Sequence, residues 1–383
     1  MANGKDPQWK ARINRGPVLV GSGRIISNQG DVVATTGRRI AVFVPENNIY
    51  RLLSTIDVPA EVLSLAVGMG NFTPDQIIAG TLDQILTWSA RGETIISFWS
   101  TPPEPEARFV SLALGDVNGD GRLEIVAAAE GAGAFYVYEQ PGRPEVEMNL
   151  QLLAIRLVPG APQKVTVIER TGMLPLIAVA FLEAGNWGIV TFSYTERGFV
   201  AGPLLERLPA GLTAMASGRL TGAPGEDLAW GGDDGRVRIV AVGETLSTVL
   251  TTDDLGSAIS ALAVGRLADR EVLVAGTPEG HIFIYPVPVV SPSPERAITV
   301  EVPVNDLAFT ANGRLVVGSR EGRVLVTWMS GGSSFFLHRV RPGETLWELA
   351  RRYNTSVAEI IRLNGLTNPD RIYPGELLQI PLP

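Results

Sequence analysis

Short apolar runs, bounded by Gly, Pro, Asn and Asp, recur along most of the chain. The stretch Leu112-Ala-Leu-Gly-Asp-Val-Asn-Gly-Asp-Gly-Arg-Leu-Glu-Ile-Val126 is the fullest copy of one unit: an apolar strand, a tight polar loop and a second apolar strand. Degenerate copies pair Val20-Gly-Ser-Gly-Arg-Ile25 with Asp31-Val-Val-Ala-Thr35, Ala66-Val-Gly-Met-Gly70 with Asp75-Gln-Ile-Ile-Ala-Gly80, Ala216-Ser-Gly-Arg-Leu220 with Glu226-Asp-Leu-Ala-Trp-Gly231, and Ala263-Val-Gly-Arg-Leu267 with Glu271-Val-Leu-Val-Ala-Gly276. Two weaker copies begin near Thr166 and Leu307. Taking Gly23, Gly70, Gly115, Glu169, Gly218, Gly265 and Ala311 as equivalent points gives a spacing of roughly 45 to 54 residues, the period of propeller blades. The expected body is therefore all-β, with seven repeats of about four strands over residues 16–329. The last repeat offers only three strand-like pieces, Asn305 to Phe309, Arg314 to Gly318 and Val324 to Trp328. The segment Gln8-Trp-Lys-Ala-Arg-Ile13 alternates enough to be a strand, so the N-terminal residues 1–15 are expected to supply the missing outer strand and close the ring.

After Ser330-Gly-Gly-Ser-Ser334, a linker-like stretch, the pattern changes. His338-x-Val340 reads as a strand, and Thr345-Leu-Trp-Glu-Leu-Ala-Arg-Arg-Tyr353 has helical spacing behind a Thr cap with Glu348 three places on. A second helix is predicted over Thr355 to Asn364 and a final strand over Leu377 to Pro381. Residues 335–383 thus form a small α+β unit of βααβ order, in which Trp347 is expected inside the core with Leu346 or Leu349.

Composition narrows the partners. The formal net charge of -8 lacks the positive field that holds nucleic acid phosphates. Cysteine is absent, which removes disulfides and thiolate chemistry. No run approaches the roughly 18 apolar residues of a membrane span. The first thirty residues also lack the apolar core of a secretory signal, so export by that route is not expected.

In the fullest repeat, Asp116, Asn118 and Asp120 fall on alternate positions, Gly121 permits a sharp reversal and Glu124 follows at the ninth place of the loop. Oxygen-rich spacing of this kind suits a hard cation such as calcium. An EF-hand would need its Glu at the twelfth place, where Ala127 stands between strand-like flanks, so a hairpin loop is the better fit. The repeats resemble the FG-GAP or VCBS units of integrin-type β-propellers over about residues 16–330. The resemblance implies one calcium site, made by Asp116, Asn118, Asp120 and Glu124 with the backbone oxygen of Arg122.

The C-terminal unit, with His338-x-Val-x-x-Gly-Glu-Thr-Leu-Trp347, Asn364-x-Leu366, Ile372, Pro374-Gly375 and Ile380-Pro381, is similar to the LysM module nearly throughout. That resemblance implies binding of N-acetylglucosamine-containing glycan, chiefly peptidoglycan and also chitin. It places a shallow groove between Gly343, Glu344, Thr345 and Leu346 on one side and Asn368, Pro369, Asp370, Arg371 and Ile372 on the other. The family often has Asp where Glu344 stands.

Catalysis finds little support. His281 and His338 each sit where a structural role is expected, and the carboxylate pairs Glu226-Asp227, Asp233-Asp234 and Asp253-Asp254 lie at turns. The expected protein is a non-catalytic one of the cell wall or spore surface, tethered to glycan by its C-terminal unit and displaying propeller loops for a protein partner or for self-assembly. One such module binds weakly, so several copies acting together are expected. A subunit of a surface filament or layer, and a glycan-active enzyme with a site in the propeller channel, are the alternatives.

Overall fold

The computed structural model describes residues 8–47, 49–68, 74–140, 149–267, 270–327, 335–353, 355–364, 366, 368, 372–374 and 377–381. The tail before Gln8, the Gly/Ser stretch at 330–334, the equivalent point Gly70 and three proposed groove residues, Pro369, Asp370 and Arg371, lie outside the described residues.

Seven antiparallel sheets form a seven-bladed β-propeller. Blade one is Leu19–Gly23, Asp31–Thr36, Arg39–Glu46 and Ile49–Asp57, numbered from the channel outwards, and blades two to six repeat the order in sequence. Blade seven takes three strands from Val304–Phe309, Leu315–Ser319 and Arg323–Thr327. Its fourth is Gln8–Arg12, antiparallel to Arg323–Thr327 with Gln8 opposite Thr327 and Arg12 opposite Arg323. The two ends of the ring are thus joined by backbone pairing, which leaves no open array.

The second strand of each blade is buried from end to end in Asp31–Thr36, Gln76–Gly80, Glu124–Ala129 and Asp227–Gly232. Successive side chains point to opposite faces of a sheet, and both faces of a blade meet a neighbour. In blade one, Val33 packs against Ile77 and Ala79 of blade two, while Val32 and Ala34 join Val316 and Val324 of blade seven. Seven such apolar clusters fill the seven interfaces. This is why the second strands read as continuous apolar runs instead of alternating ones.

The inner strands crowd at the channel, and glycine relieves the crowding. A Cβ added at Gly115 would lie 2.5 Å from Val167 Cγ1 of blade four. Val167 is β-branched and stiff at χ1, so Gly115→Ala is expected to destabilise the ring by about 1–3 kcal/mol. Chemical denaturation with an unchanged slope and an earlier midpoint is the readout. An unchanged midpoint would mean that the two blades can part at no cost.

The seam between blades seven and one adds polar contacts between the inner strands to its apolar cluster. Asp306 Oδ2 accepts the Val20 N–H at 2.9 Å, and Asn305 Nδ2 donates to the Val18 carbonyl at 3.0 Å. Burial pushes the Asp306 carboxyl up to about 6, against the opposing pull of the Val20 and Leu307 N–H groups and Lys164.

The C-terminal unit is Phe335–Arg339, helix α1 (Leu346–Arg352), helix α2 (Val357–Asn364) and Leu377–Pro381. Its two strands are antiparallel, with Phe335 opposite Pro381 and Arg339 opposite Leu377. Val340, Leu346, Leu349, Ala350, Ile360, Leu378 and Ile380 make its core. Phe335 also pairs with Ala297 on the outer strand of blade six, so that sheet runs on into the C-terminal unit as six strands. The unit therefore rests on the propeller rim.

Candidate functional site

Two places carry the residues singled out in the sequence. The first is the turn and first helix of the C-terminal unit. Thr345 is the N-cap of α1, accepting the Glu348 N–H on its hydroxyl while Glu348 reaches back to the Thr345 N–H at 3.1 Å. The predicted capping box is present. It sets the phase of the helix: Leu346, Leu349 and Ala350 are buried, three and four residues apart. Trp347 and Arg351 consequently share the outer face. The expectation that Trp347 lies in the core is corrected: it is 63% exposed, with the Arg351 guanidinium 5.7 Å from its ring centre.

Glu344, expected at the groove, has its side chain spent on the fold. One oxygen, Oε2, accepts the Arg341 N–H at 2.8 Å and lies 2.5 Å from His338 Nε2. The other, Oε1, takes Arg352 Nη1 at 2.5 Å. His338 is buried and its Nδ1 meets the Tyr353 hydroxyl at 2.9 Å, which gives that histidine a structural role. Burial would raise the Glu344 carboxyl, but the Arg341 N–H, His338 and Arg352 outweigh it and hold the group down at about 2. What the turn offers a ligand is the exposed Gly343, at φ +85°, the exposed Thr345, and the Trp347 face beside them. Across the proposed groove, Asn368 is exposed and Ile372 half-buried against the core.

The second place is the loop between the inner and second strands of blade three. Asp116 Oδ1 and Oδ2 accept the N–H groups of Gly119 and Gly121 at 2.8 and 3.0 Å. Asn118 Oδ1 takes the Asp120 N–H, and Asp120 Oδ1 the Arg122 N–H. These bonds fold the loop into successive turns, with Gly121 at φ +84° making the reversal. Carboxylate oxygens of Asp116, Asp120 and Glu124 come within 4.8 Å of one another. Glu124 is fully buried; its Oε2 accepts the Val117 N–H at 2.9 Å, whereas Oε1 is buried with no partner. Burial, with help from Asp120 and Asp116 and against the Val117 N–H, lifts Glu124 to about 7. An orphaned buried oxygen facing two further carboxylates fits a hard cation.

Other blades keep the carboxylate at the start of the second strand and, among the described residues, use it without a cluster. Asp31 Oδ2 accepts from Ile26 and Ser27 N–H, and Asp227 Oδ2 accepts from both the N–H and the hydroxyl of Thr221. That clasp was legible only as a vestige of the repeat. Its structural role emerges from the hydrogen bonds.

A family model described as LysM domain matches residues 338–381, and one described as FG-GAP repeat matches residues 109–138. The C-terminal unit is a LysM domain. The chain is 41% identical over 46 residues to SpoIVD-associated factor A of Bacillus subtilis (strain 168), a match covering 12% of each chain. It is 36% identical over 47 residues to the uncharacterized protein YkzQ of the same organism, covering 12% of this chain and 61% of that one. The matched segments thus span less than two thirds of either relative. Among solved structures, BBS1N in its complex with ARL6DN superimposes with a TM-score of 0.61 at 12% identity, over 85% of this chain and 97% of that one, which shows the shared fold. A LysM domain and a propeller are folds suited to binding and scaffolding. Among the described residues no helix is long and apolar enough to cross a membrane.

Proposed function

We propose that the protein is a non-catalytic component of the cell wall or spore surface that holds N-acetylglucosamine-containing glycan, peptidoglycan above all, in the LysM groove. The observation that carries this is the complete βααβ unit at 338–381 with Gly343 and Thr345 exposed on one side and Asn368 on the other. Gly343, Glu344, Thr345 and Leu346 contribute mainly backbone, with Asn368 and Ile372 on the opposing side. The name of one relative, SpoIVD-associated factor A, supports the spore surface as the location. The blade-three loop holds one calcium ion through Asp116, Asn118, Asp120 and Glu124 with the Arg122 carbonyl, and the ion's role is to lock the loop.

The propeller serves as scaffold. Leu152, Ile155 and Leu157 are exposed along the outer strand of blade three, the last at 76%, and such a strip supports a protein contact or self-assembly. Attachment through several weak modules then follows from multiplicity. The full chain is expected to sediment with purified peptidoglycan, with soluble chitin oligomers competing. A chain ending before Phe335 should stay in the supernatant. Equal sedimentation of both would remove the LysM groove from the account.

A further inference from the structure

Every inner strand is paired on one side only, so its other edge turns backbone N–H and C=O groups to the channel. In four blades the inner strand carries one extra residue near its start: the ladder passes over Val110, Gln163, Thr213 and Asn305 in blades three, four, five and seven. A bulge of this kind re-aims the side chain that follows it. Two of the four side chains that follow are used by the ring. Ser111 Oγ accepts the Val165 N–H of blade four at 3.2 Å, and Asp306 Oδ2 accepts the Val20 N–H of blade one at 2.9 Å. Ala214 has no polar group. The fourth, Lys164, cannot accept from a neighbouring N–H, and among the described residues its ammonium makes no hydrogen bond or ion pair.

A cavity of about 490 Å³ occupies the channel at this level. Lys164 of blade four and Asp306 of blade seven both line it, half-buried and three blades apart in a ring of seven, so they stand on opposite walls. The Lys164 charge reaches the Asp306 carboxyl, although no ion pair joins the two. Leu65, Leu112, Met215 and Leu262 give the same cavity an apolar part of its wall. The volume falls within the roughly 300–1,000 Å³ of small-molecule sites. A neutral ligand would leave both charges without a partner, a simple anion would meet Asp306 as well as Lys164, and a simple cation the reverse. A molecule with one charge of each sign and amides between them answers both walls and the strand edges together. A di- or tripeptide of small residues with free ends has that chemistry.

We propose that the propeller channel binds a short zwitterionic peptide, its carboxylate on Lys164, its ammonium on Asp306 and its amides against the free edges of the inner strands. This site stands apart from the LysM groove and does not depend on glycan binding there.

At pH 7 the Asp306 carboxyl, which titrates at about 6, is mostly ionised, and a peptide ammonium is still mostly protonated. Calorimetric titration of the full chain with trialanine at that pH is expected to saturate. N-Acetyl-trialanine and trialanine amide, each lacking one charge, should bind about tenfold more weakly. Lys164→Met should lose the same factor for trialanine and stop distinguishing it from its amide. Asp306→Asn keeps an acceptor for the Val20 N–H and should stop distinguishing trialanine from its N-acetyl form. Because Lys164 holds no neighbour in place, Lys164→Met should melt with the wild type, and it carries the test even where Asp306→Asn disturbs the seam. Absence of saturable heat with trialanine overturns the proposal. Equal affinity for trialanine and its N-acetyl form overturns it too, since the channel would then be an anion site. So does affinity that Lys164→Met leaves unchanged, which would place the peptide elsewhere on the chain.

Discussion

Replacing Glu344 by alanine is expected to unfold the LysM domain while leaving the propeller intact. The carboxylate takes the Arg341 N–H, His338 and Arg352 at once, and its side chain is 9% exposed. Removing one member of a buried charged network costs about 3–5 kcal/mol, and the half-exposed Arg352 side chain puts this case toward the lower figure. A unit of about fifty residues has little stability beyond that. Two thermal transitions should appear in the variant, the lower belonging to the LysM domain, and glycan retention should vanish above it. Glu344→Gln keeps an acceptor for the Arg341 N–H and should retain glycan at low temperature within a few-fold. If Glu344→Gln loses glycan while fully folded, the carboxylate itself touches sugar.

The same network sets a pH dependence. The Glu344 carboxyl titrates at about 2 in the folded chain, below its ordinary value of 4.5. Its contribution is therefore complete above about pH 5 and is lost as the pH falls from 4.5 through 2. The lower thermal transition of the wild-type chain should move down across that window, and in Glu344→Gln this part of the slope should be missing. A slope equal in both chains would assign the acid sensitivity to other groups.

Much of this architecture was legible in the sequence because propeller burial is two-sided. Asp31–Thr36, Gln76–Gly80 and Glu124–Ala129 are sandwiched between neighbours, and so they announce themselves as apolar runs at blade spacing. The three-stranded last repeat likewise implied a partner, which Gln8–Arg12 provides. Backbone pairing without a side-chain signature was not legible. Ala297 opposite Phe335 joins the LysM sheet to blade six through main-chain groups, and nothing in either residue type marks it. Trp347 was expected inside because the apolar spacing of Leu346, Trp347 and Leu349 admits more than one helix phase. Once Thr345 is fixed as the cap, Leu346, Leu349 and Ala350 occupy the inner face and Trp347 must turn out. Of the proposed groove residues, Gly343, Thr345 and Asn368 are exposed, Leu346 is buried in the core, and Glu344 is held by its neighbours.

Calcium is expected to raise the unfolding temperature of the propeller, and EDTA to lower it. In blade three the loop brings Asp116, Asp120 and Glu124 together, and Glu124 Oε1 is buried without a partner, an arrangement that costs stability until a cation joins it. A ligand held only by the folded state at 100 times its Kd contributes about 2.7 kcal/mol. For a ring of this size that corresponds to about 5 °C. Magnesium, which demands near-octahedral geometry and gives up water reluctantly, should do less. Glu124→Gln separates the metal from the fold: the amide removes a buried carboxylate, so the metal-free variant should melt no lower than the metal-free wild type, while its calcium increment disappears. Asp116→Ala should lose both the increment and the turns that Gly119 and Gly121 make onto its oxygens. A wild-type melting curve that ignores calcium and EDTA alike would reduce the loop to a set of hydrogen-bonded turns, with Glu124 doing only what Asp31 and Asp227 do in their own blades.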